Sequence, residues 1–108
     1  MAYRITTVCR AGVGTSAFAK KLVQDAVEEM GYDRSQFLID SNEVMFAKGI
    51  RDGVIITQTV LLDKLKANEK VDAVIGLDNI IRDKEQLIEQ LTPVLAAAEA
   101  AGKIKKRG

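Results

Sequence analysis

Residues 3–30 read YRITTVCRAGVGTSAFAKKLVQDAVEEM. The part from Tyr3 to Val8 is rich in β-branched residues, which is typical of a strand. From Ala19 to Met30 the apolar residues recur with helical spacing, and Gly31 follows as a stop signal, so we expect an amphipathic helix. A strand, a glycine-bearing loop and a helix are typical of an anion cradle, because loop amides and the helix N-terminus attract negative charge.

The loop of this unit runs from Cys9 to Ser16 and begins with the only cysteine of the chain. Gly12 and Gly14 allow backbone angles that other residues rarely adopt, and they keep side chains out of the cradle. Such a cradle lowers the pKa of a thiol and favours the nucleophilic thiolate. We therefore expect Cys9 to be the reactive group.

Length and composition narrow the function classes. The 108 residues predict a single domain spanning residues 1–108. A net charge of +1 gives no general attraction to nucleic acid, and the absence of histidine beside one cysteine predicts neither a metal site nor a metal cofactor. The sequence has no apolar run near 18 residues and reaches its first strand at once, so we expect a cytoplasmic protein.

The rest of the chain alternates strand and helix patterns. Further strands are predicted at 36–39, 53–57 and 71–77. Helices are predicted at 43–48, with Ser41 or Asn42 as N-cap, at 60–67, and from Asp83 onward. We expect the last helix to end near Leu91 and restart at Thr92 and Pro93, because an interior proline costs about 3 kcal/mol. The basic tail from Lys103 onward should be frayed.

This alternation predicts an α/β fold. Right-handed crossovers give a four-stranded parallel sheet of order 2-1-3-4 in a three-layer α/β/α sandwich. In that order the chain reverses beside the first strand, which places the ligand site at the C-terminal end of that strand. The loop that begins at Cys9 lies there.

Three loop types compete on the residues alone. Gly12 to Ala17 matches the dinucleotide fingerprint G-x-G-x-x-A, but one small domain leaves little room for a dinucleotide and a substrate. A Walker A loop needs a lysine before Thr15 or Ser16, and none is present. A low-molecular-weight cysteine phosphatase has a C-x5-R-[ST] loop after its first strand, with an aspartate as acid, for which Asp78 is a candidate. The clamping arginine of that loop is absent here.

The loop instead resembles that of the enzyme IIB component of the bacterial sugar phosphotransferase system (PTS), in the ascorbate and galactitol branch. The residues that carry the resemblance are Cys9-Arg-Ala-Gly12-Val-Gly14-Thr15-Ser16, with fainter similarity at 41–43, 54–57 and 76–79. Arg10 departs from the small residue that usually follows the cysteine in this family. The resemblance covers the length of the chain.

The resemblance implies a phosphatase-like P-loop and a phosphocarrier. Its members accept a phosphoryl group from a phosphohistidine of enzyme IIA onto the loop cysteine, here Cys9. They pass it to a sugar bound by the membrane protein enzyme IIC. The expected phosphoryl-binding residues are Arg10, Ala11, Gly12, Val13, Gly14, Thr15 and Ser16. No cofactor is implied.

The same resemblance leaves one non-carrier alternative, a regulator that reads phosphorylation, but the sequence shows no DNA-binding helix pair. For a carrier, we expect Ala11 and Val13 to contact the partner at an open loop. Polar residues at the ends of the third and fourth predicted strands should join them, namely Thr57, Gln58, Thr59, Asp78 and Asn79. Phe18 is expected to turn inward and pack the loop against the sheet.

Overall fold

The computed structural model describes residues 3–9, 16–43, 49–65, 70–78 and 82–106. The strands are β1 (Tyr3–Cys9), β2 (Phe37–Glu43), β3 (Val54–Gln58) and β4 (Ala73–Leu77). The helices are α1 (Ser16–Glu29), α2 (Leu62–Leu65) and α3 (Lys84–Ala100). Single 3-10 turns at Arg34–Gln36 and Thr59–Leu61 precede β2 and α2. Within these ranges, no helix is long and apolar enough to cross a membrane.

The four strands form one parallel sheet of order β2-β1-β3-β4, which confirms the predicted fold class and strand order. β1 and β3 are the inner strands, and Val54, Ile55 and Ile56 are fully buried because helices or connections cover both faces. All strands run the same way, so the sheet has an N-terminal edge where strands begin and a C-terminal edge where they end.

Two apolar cores lie on the two faces of the sheet. The larger core packs α1 and α3 on one face through residues that include Val23, Val27, Leu87, Leu91 and Leu95. The smaller core covers the other face with Val8, Ile50, Ile55, Leu65 and Val71. Two helices on one face and α2 on the other give the three layers that the sequence predicts.

The end of α1 follows the sequence prediction closely. Gly31 adopts a φ of 94°, a left-handed conformation that glycine tolerates well. The Gly31 amide donates to the Glu28 carbonyl at 3.0 Å and the Tyr32 amide to the Val27 carbonyl at 3.0 Å. This pair of bonds is a Schellman motif, which satisfies carbonyls that the last helical turn leaves open.

The predicted N-cap at Ser41 or Asn42 is wrong. Both residues lie inside β2, where Ser41 is paired with Thr7 and Asn42 with Val8 of β1. Pairing with an inner strand outweighs the local preference of these polar residues for caps. The helix predicted from Glu43 also fails at its first residue, which is the last residue of β2, and positions 44–48 lie outside the described residues.

Two other helical predictions need correction. The helix predicted at 60–67 is a 3-10 turn followed by the four residues of α2, with positions 66–67 outside the described part. The last helix is not divided at Pro93, because α3 runs through it. Thr92 is not an N-cap. Its hydroxyl donates to the Ile88 carbonyl at 2.7 Å, one turn earlier. Leu91 and Leu95 are both fully buried, so packing on either side of Pro93 favours one continuous helix.

The prediction of a frayed tail is wrong as far as residue 106. Ile104 is buried in the larger core with 2% of its surface exposed. The side-chain amide of Gln36 binds the backbone of Lys105 twice, donating to the carbonyl at 2.6 Å and accepting from the amide at 2.7 Å. Lys106 also forms an antiparallel bridge with Tyr32. The charged residues that predict a frayed end lie on both sides of Ile104, which is buried in the larger core.

Candidate functional site: the C-terminal edge of the sheet

The predicted cradle lies between the end of β1 and the start of α1. β1 ends at Cys9 and α1 begins at Ser16, as the strand–loop–helix pattern predicts. The loop residues Arg10, Ala11, Gly12, Val13, Gly14 and Thr15 lie outside the described residues, as do the side chains of Cys9 and Ser16. Their assignment to a phosphoryl site stays a prediction.

The backbone of Cys9 is placed by its neighbours in the sheet. It is paired with Glu43 of β2, and Val8 before it is paired with Thr57 of β3. β1 is therefore an inner strand whose end lies where the chain reverses direction across the sheet. This is the place at which open parallel sheets bind their ligands.

Thr57 fixes the strand end beneath the cysteine. It is fully buried, and its hydroxyl donates to the carbonyl of Val8 at 2.8 Å across the β1–β3 pair. A buried hydroxyl that has a hydrogen-bond partner avoids a desolvation penalty. This bond also holds the ends of β1 and β3 together. The expectation that Thr57 faces a partner is therefore wrong; it supports the site from below.

The ends of β3 and β4 are joined by a second polar pair. The hydroxyl of Thr59 donates to the carboxylate of Asp78 at 2.8 Å, and both residues are exposed. α3 also holds the end of β4, because Gln86 accepts from the Asp78 amide at 3.3 Å and Gln90 donates to the Gly76 carbonyl at 3.0 Å. Thr59 and Asp78 thus lie on the accessible C-terminal edge, as predicted, and Asn79, predicted to join them, lies outside the described residues.

Two large apolar side chains are exposed at the same edge. Phe18, in the first turn of α1, exposes 63% of its surface, and Val60, in the 3-10 turn after β3, exposes 69%. The inward packing predicted for Phe18 is wrong, since the inner face of α1 is filled by Ala19, Val23 and their helical repeats. Phe18 is the residue before that series starts, which is the signal that could have placed it outside. The sequence contains no comparable indication that Val60 is exposed.

Positive charge accompanies the start of α1. Its first turn holds no acidic residue and its last turn no basic one, the reverse of what the helix dipole favours. Lys20 is half-buried and Lys21 is exposed. Among the described residues, neither lysine forms a salt bridge. Two lysines without a salt bridge among the described residues therefore lie in the second turn of α1, near the edge that carries the predicted cradle.

These features define the class of protein. It is a small parallel α/β sandwich in which a strand that ends in cysteine lies at the switch point of the sheet. Residues 4–90 match the family model described as PTS system, Lactose/Cellobiose specific IIB subunit. The chain belongs to this family of IIB subunits. No curated protein gives a significant match.

Membership has general consequences. It implies phosphotransferase activity within a sugar phosphotransferase system, and interaction with IIA and IIC components. The resemblance to a IIB component noted in the sequence is thereby confirmed, whereas the family model names lactose and cellobiose instead of the ascorbate and galactitol branch.

Proposed function

We propose that this chain is a cytoplasmic phosphocarrier, a single enzyme IIB domain over residues 1–108, that accepts its phosphoryl group on Cys9. The donor is a phosphohistidine of enzyme IIA, and the acceptor is a sugar held by the membrane protein enzyme IIC. The observation that carries the proposal is the position of Cys9. It ends the inner strand β1 at the switch point of a chain that matches the IIB family over residues 4–90.

The chemistry is an in-line phosphoryl exchange in two steps. In the first, the Cys9 thiolate attacks phosphorus, an S–P bond forms, and the P–N bond to the donor histidine breaks with its electron pair left on the imidazole. In the second, a sugar hydroxyl attacks phosphorus and gives its proton to a general base at the sugar site of enzyme IIC, and the S–P bond breaks with its electron pair left on sulfur to return the thiolate. The transition states are loose, so positioning and charge stabilisation supply most of the catalysis.

The loop supplies that stabilisation. Its amides, with Gly12 and Gly14 leaving the cradle open, would donate to the three equatorial phosphoryl oxygens. The hydroxyls of Thr15 and Ser16 would add donors or cap α1. The remaining members of the proposed phosphoryl site are Arg10, Ala11 and Val13.

A cysteine phosphatase is the competing function, and Asp78 is the observation that favours it. This aspartate is exposed at the end of β4, on the same edge as Cys9. However, Thr15 occupies the place of the arginine that clamps phosphoryl oxygens in such phosphatases. A carrier must hold its phosphocysteine without hydrolysing it, so the missing clamp favours transfer. Purified protein should hydrolyse an aryl phosphate only weakly, and robust hydrolysis lost in Cys9→Ser would favour the phosphatase.

Within the family, we infer membership of the ascorbate and galactitol branch from the loop pattern between Cys9 and Ser16. The family description points to lactose and cellobiose as the competing branch. Phosphorylated IIA proteins from both branches can be offered to the chain at equal concentration. Faster phosphorylation by the ascorbate or galactitol donor supports the inference, and faster phosphorylation by the lactose or cellobiose donor contradicts it.

The central experiment is intact mass after phosphorylation. The protein is mixed with phosphoenolpyruvate, enzyme I, the histidine phosphocarrier protein and enzyme IIA. The wild-type chain should gain one phosphoryl group, and Cys9→Ser and Cys9→Ala should gain none while keeping the wild-type circular dichroism spectrum. A Cys9→Ala protein that still gains the group would show that the acceptor lies elsewhere.

A further inference from the structure

The exposed apolar side chains of the described residues are unevenly distributed. The large ones are Phe18, Leu38 and Val60, with 63%, 43% and 69% of their surfaces exposed. Phe18 and Val60 lie at the C-terminal edge, on the connections that follow the two inner strands. Leu38 pairs with Arg4 near the start of the sheet, five residues or about 16 Å of strand from the end of β2.

Phe18 and Val60 flank the end of β1 on two sides. Phe18 belongs to α1, which packs on the face of the larger core, and Val60 precedes α2, whose Leu65 packs on the opposite face. The two residues before Val60 are polar, with Gln58 half-buried and Thr59 exposed. Large exposed apolar side chains beside polar ones, at the edge that carries a reactive group, are typical of a surface that a partner covers transiently.

The charge beside Phe18 indicates which partner binds this surface. Lys21 is exposed three residues after Phe18 in α1, so the two side chains share one helix face. A donor that carries phosphohistidine brings negative charge to the centre of the contact and loses it once the phosphoryl group has moved. Lys21 therefore attracts the loaded donor more strongly than the spent one.

We propose that Phe18, Val60 and Lys21 form the docking surface for phosphorylated enzyme IIA. Phe18 and Val60 are its apolar anchors, and Lys21 discriminates between the phosphorylated and unphosphorylated donor. This inference rests on the proposed function, and it adds residues that lie outside the cradle. It replaces the inward role that the sequence predicts for Phe18.

The test measures the initial rate of phosphoryl transfer at increasing concentrations of phosphorylated enzyme IIA. Phe18→Ser and Val60→Ser should each raise KM for the donor by roughly fivefold or more, as expected for anchors at the centre of an interface. The rate at saturating donor should stay within about twofold, because neither residue takes part in the chemistry. Leu38→Ser is the matched control, since it removes an exposed apolar side chain far from the edge, and it should leave both parameters near wild type.

Lys21→Gln tests the charge role separately. It should raise KM for phosphorylated enzyme IIA by roughly threefold while leaving the Kd of unphosphorylated enzyme IIA unchanged. Equal losses for both forms would show that Lys21 does not discriminate between them. Added salt should reduce the difference between wild type and Lys21→Gln.

The outcomes separate this inference from the proposed function. A wild-type chain that gains no phosphoryl group overturns both. A wild-type chain that is phosphorylated with the same KM as Phe18→Ser and Val60→Ser overturns the docking surface alone. Variants that accept the group normally but pass it slowly to sugar and membrane enzyme IIC would assign the surface to enzyme IIC and also overturn the inference.

Discussion

The two edges of the sheet differ in what their side chains contact. At the N-terminal edge, residues far apart in the chain bind one another: the Tyr3 hydroxyl donates to Asp72 at 2.7 Å, and Gln36 binds the backbone of Lys105. At the C-terminal edge, Phe18 and Val60 remain largely exposed. Among the residues that the structure describes, the N-terminal edge is closed by its own chain and is called the closed edge, and the C-terminal edge, which exposes Phe18 and Val60, is called the open edge.

This difference indicates that the closed edge contributes mainly to stability and the open edge mainly to function. The closed edge carries long-range contacts that hold the last segment of the chain onto Gln36, just before β2, and Lys103 adds an ion pair to Asp72 at 3.4 Å. The open edge carries the strand end that holds Cys9. Changes at the closed edge should therefore affect unfolding, whereas changes of the exposed Phe18 and Val60 at the open edge should affect transfer and leave unfolding nearly unchanged.

The largest effect is expected from Gly53→Ala at the closed edge. Gly53 has a φ of 73°, and a Cβ atom there would collide with the backbone carbonyl of Arg4 in β1. The backbone of neither strand can move away without breaking the β1–β3 pairing, so we expect a loss of more than about 4 kcal/mol in the free energy of unfolding. Urea denaturation measures it. Gly49→Ala is the control, because no atom of the described residues lies within 4 Å of a Cβ there. Similar stabilities for the two variants would contradict the prediction.

A smaller loss is expected from Ile104→Ala, which tests whether the tail belongs to the fold. The side chain is 2% exposed in the larger core, so its truncation should cost about 3 kcal/mol. Lys105→Ala is the control, since Gln36 binds only the backbone of that residue. It should change stability by less than about 0.5 kcal/mol. Equal unfolding midpoints for wild type and Ile104→Ala would mean that the tail is not anchored.

The sheet could be predicted because its signals are redundant. The alternation of apolar runs and helical patterns specifies a parallel sheet, and the handedness of crossovers leaves few strand orders. The apolar run at 54–56 predicts an inner strand, as observed for β3. The Gly31 stop was also readable, because it needs only local geometry.

Errors occurred where tertiary contacts outweigh local preference. Ser41 and Asn42 favour caps, but pairing with β1 draws them into β2. Pro93 disfavours a helix interior, yet the buried residues on both sides keep α3 continuous. The tail looked frayed because its contact with Gln36 joins residues 69 positions apart, which no local pattern reports.

The site was predictable in part for a similar reason. The topology places the end of β1 at the switch point, so the location of the predicted cradle follows from strand order. The exposure of Phe18 and Val60 does not follow, because sequence patterns identify apolar residues without showing which of them find a partner within the chain. Thr57 is similar, since its buried bond to Val8 depends on strand register.

A third, smaller effect should appear as a pH dependence at the closed edge. Burial, and then the hydrogen bond and charge of Asp72, raise the pKa of Tyr3 well above its ordinary value. The folded protein thus holds this proton more tightly than the unfolded chain. The resulting stability is fully present below about pH 10 and is lost as the pH rises further.

The measurement compares wild type with Tyr3→Phe by urea denaturation at pH 8 and pH 11. At pH 8 the variant should be less stable by roughly 1 kcal/mol, because it lacks the hydrogen bond to Asp72. At pH 11 this difference should shrink, since only wild type must keep a tyrosine protonated. Tyr32, the other tyrosine of the chain, is present in both proteins, so its titration does not bias the comparison. A difference that stays constant between the two pH values would contradict the prediction.

The smallest expected effect is at the open edge, in the acidity of Cys9. The loop amides and the N-terminus of α1 should hold its pKa below the free-thiol value of about 8.5. The rate of reaction with a maleimide, followed from pH 5 to pH 10, gives the midpoint for the folded protein. The same profile in concentrated urea gives the unfolded midpoint for the same thiol and is the internal control. The folded protein should react more slowly as the pH falls through the lower midpoint. A folded midpoint at or above the unfolded one would show that the cradle does not stabilise the thiolate, and the carrier chemistry proposed for Cys9 would lose its electrostatic basis.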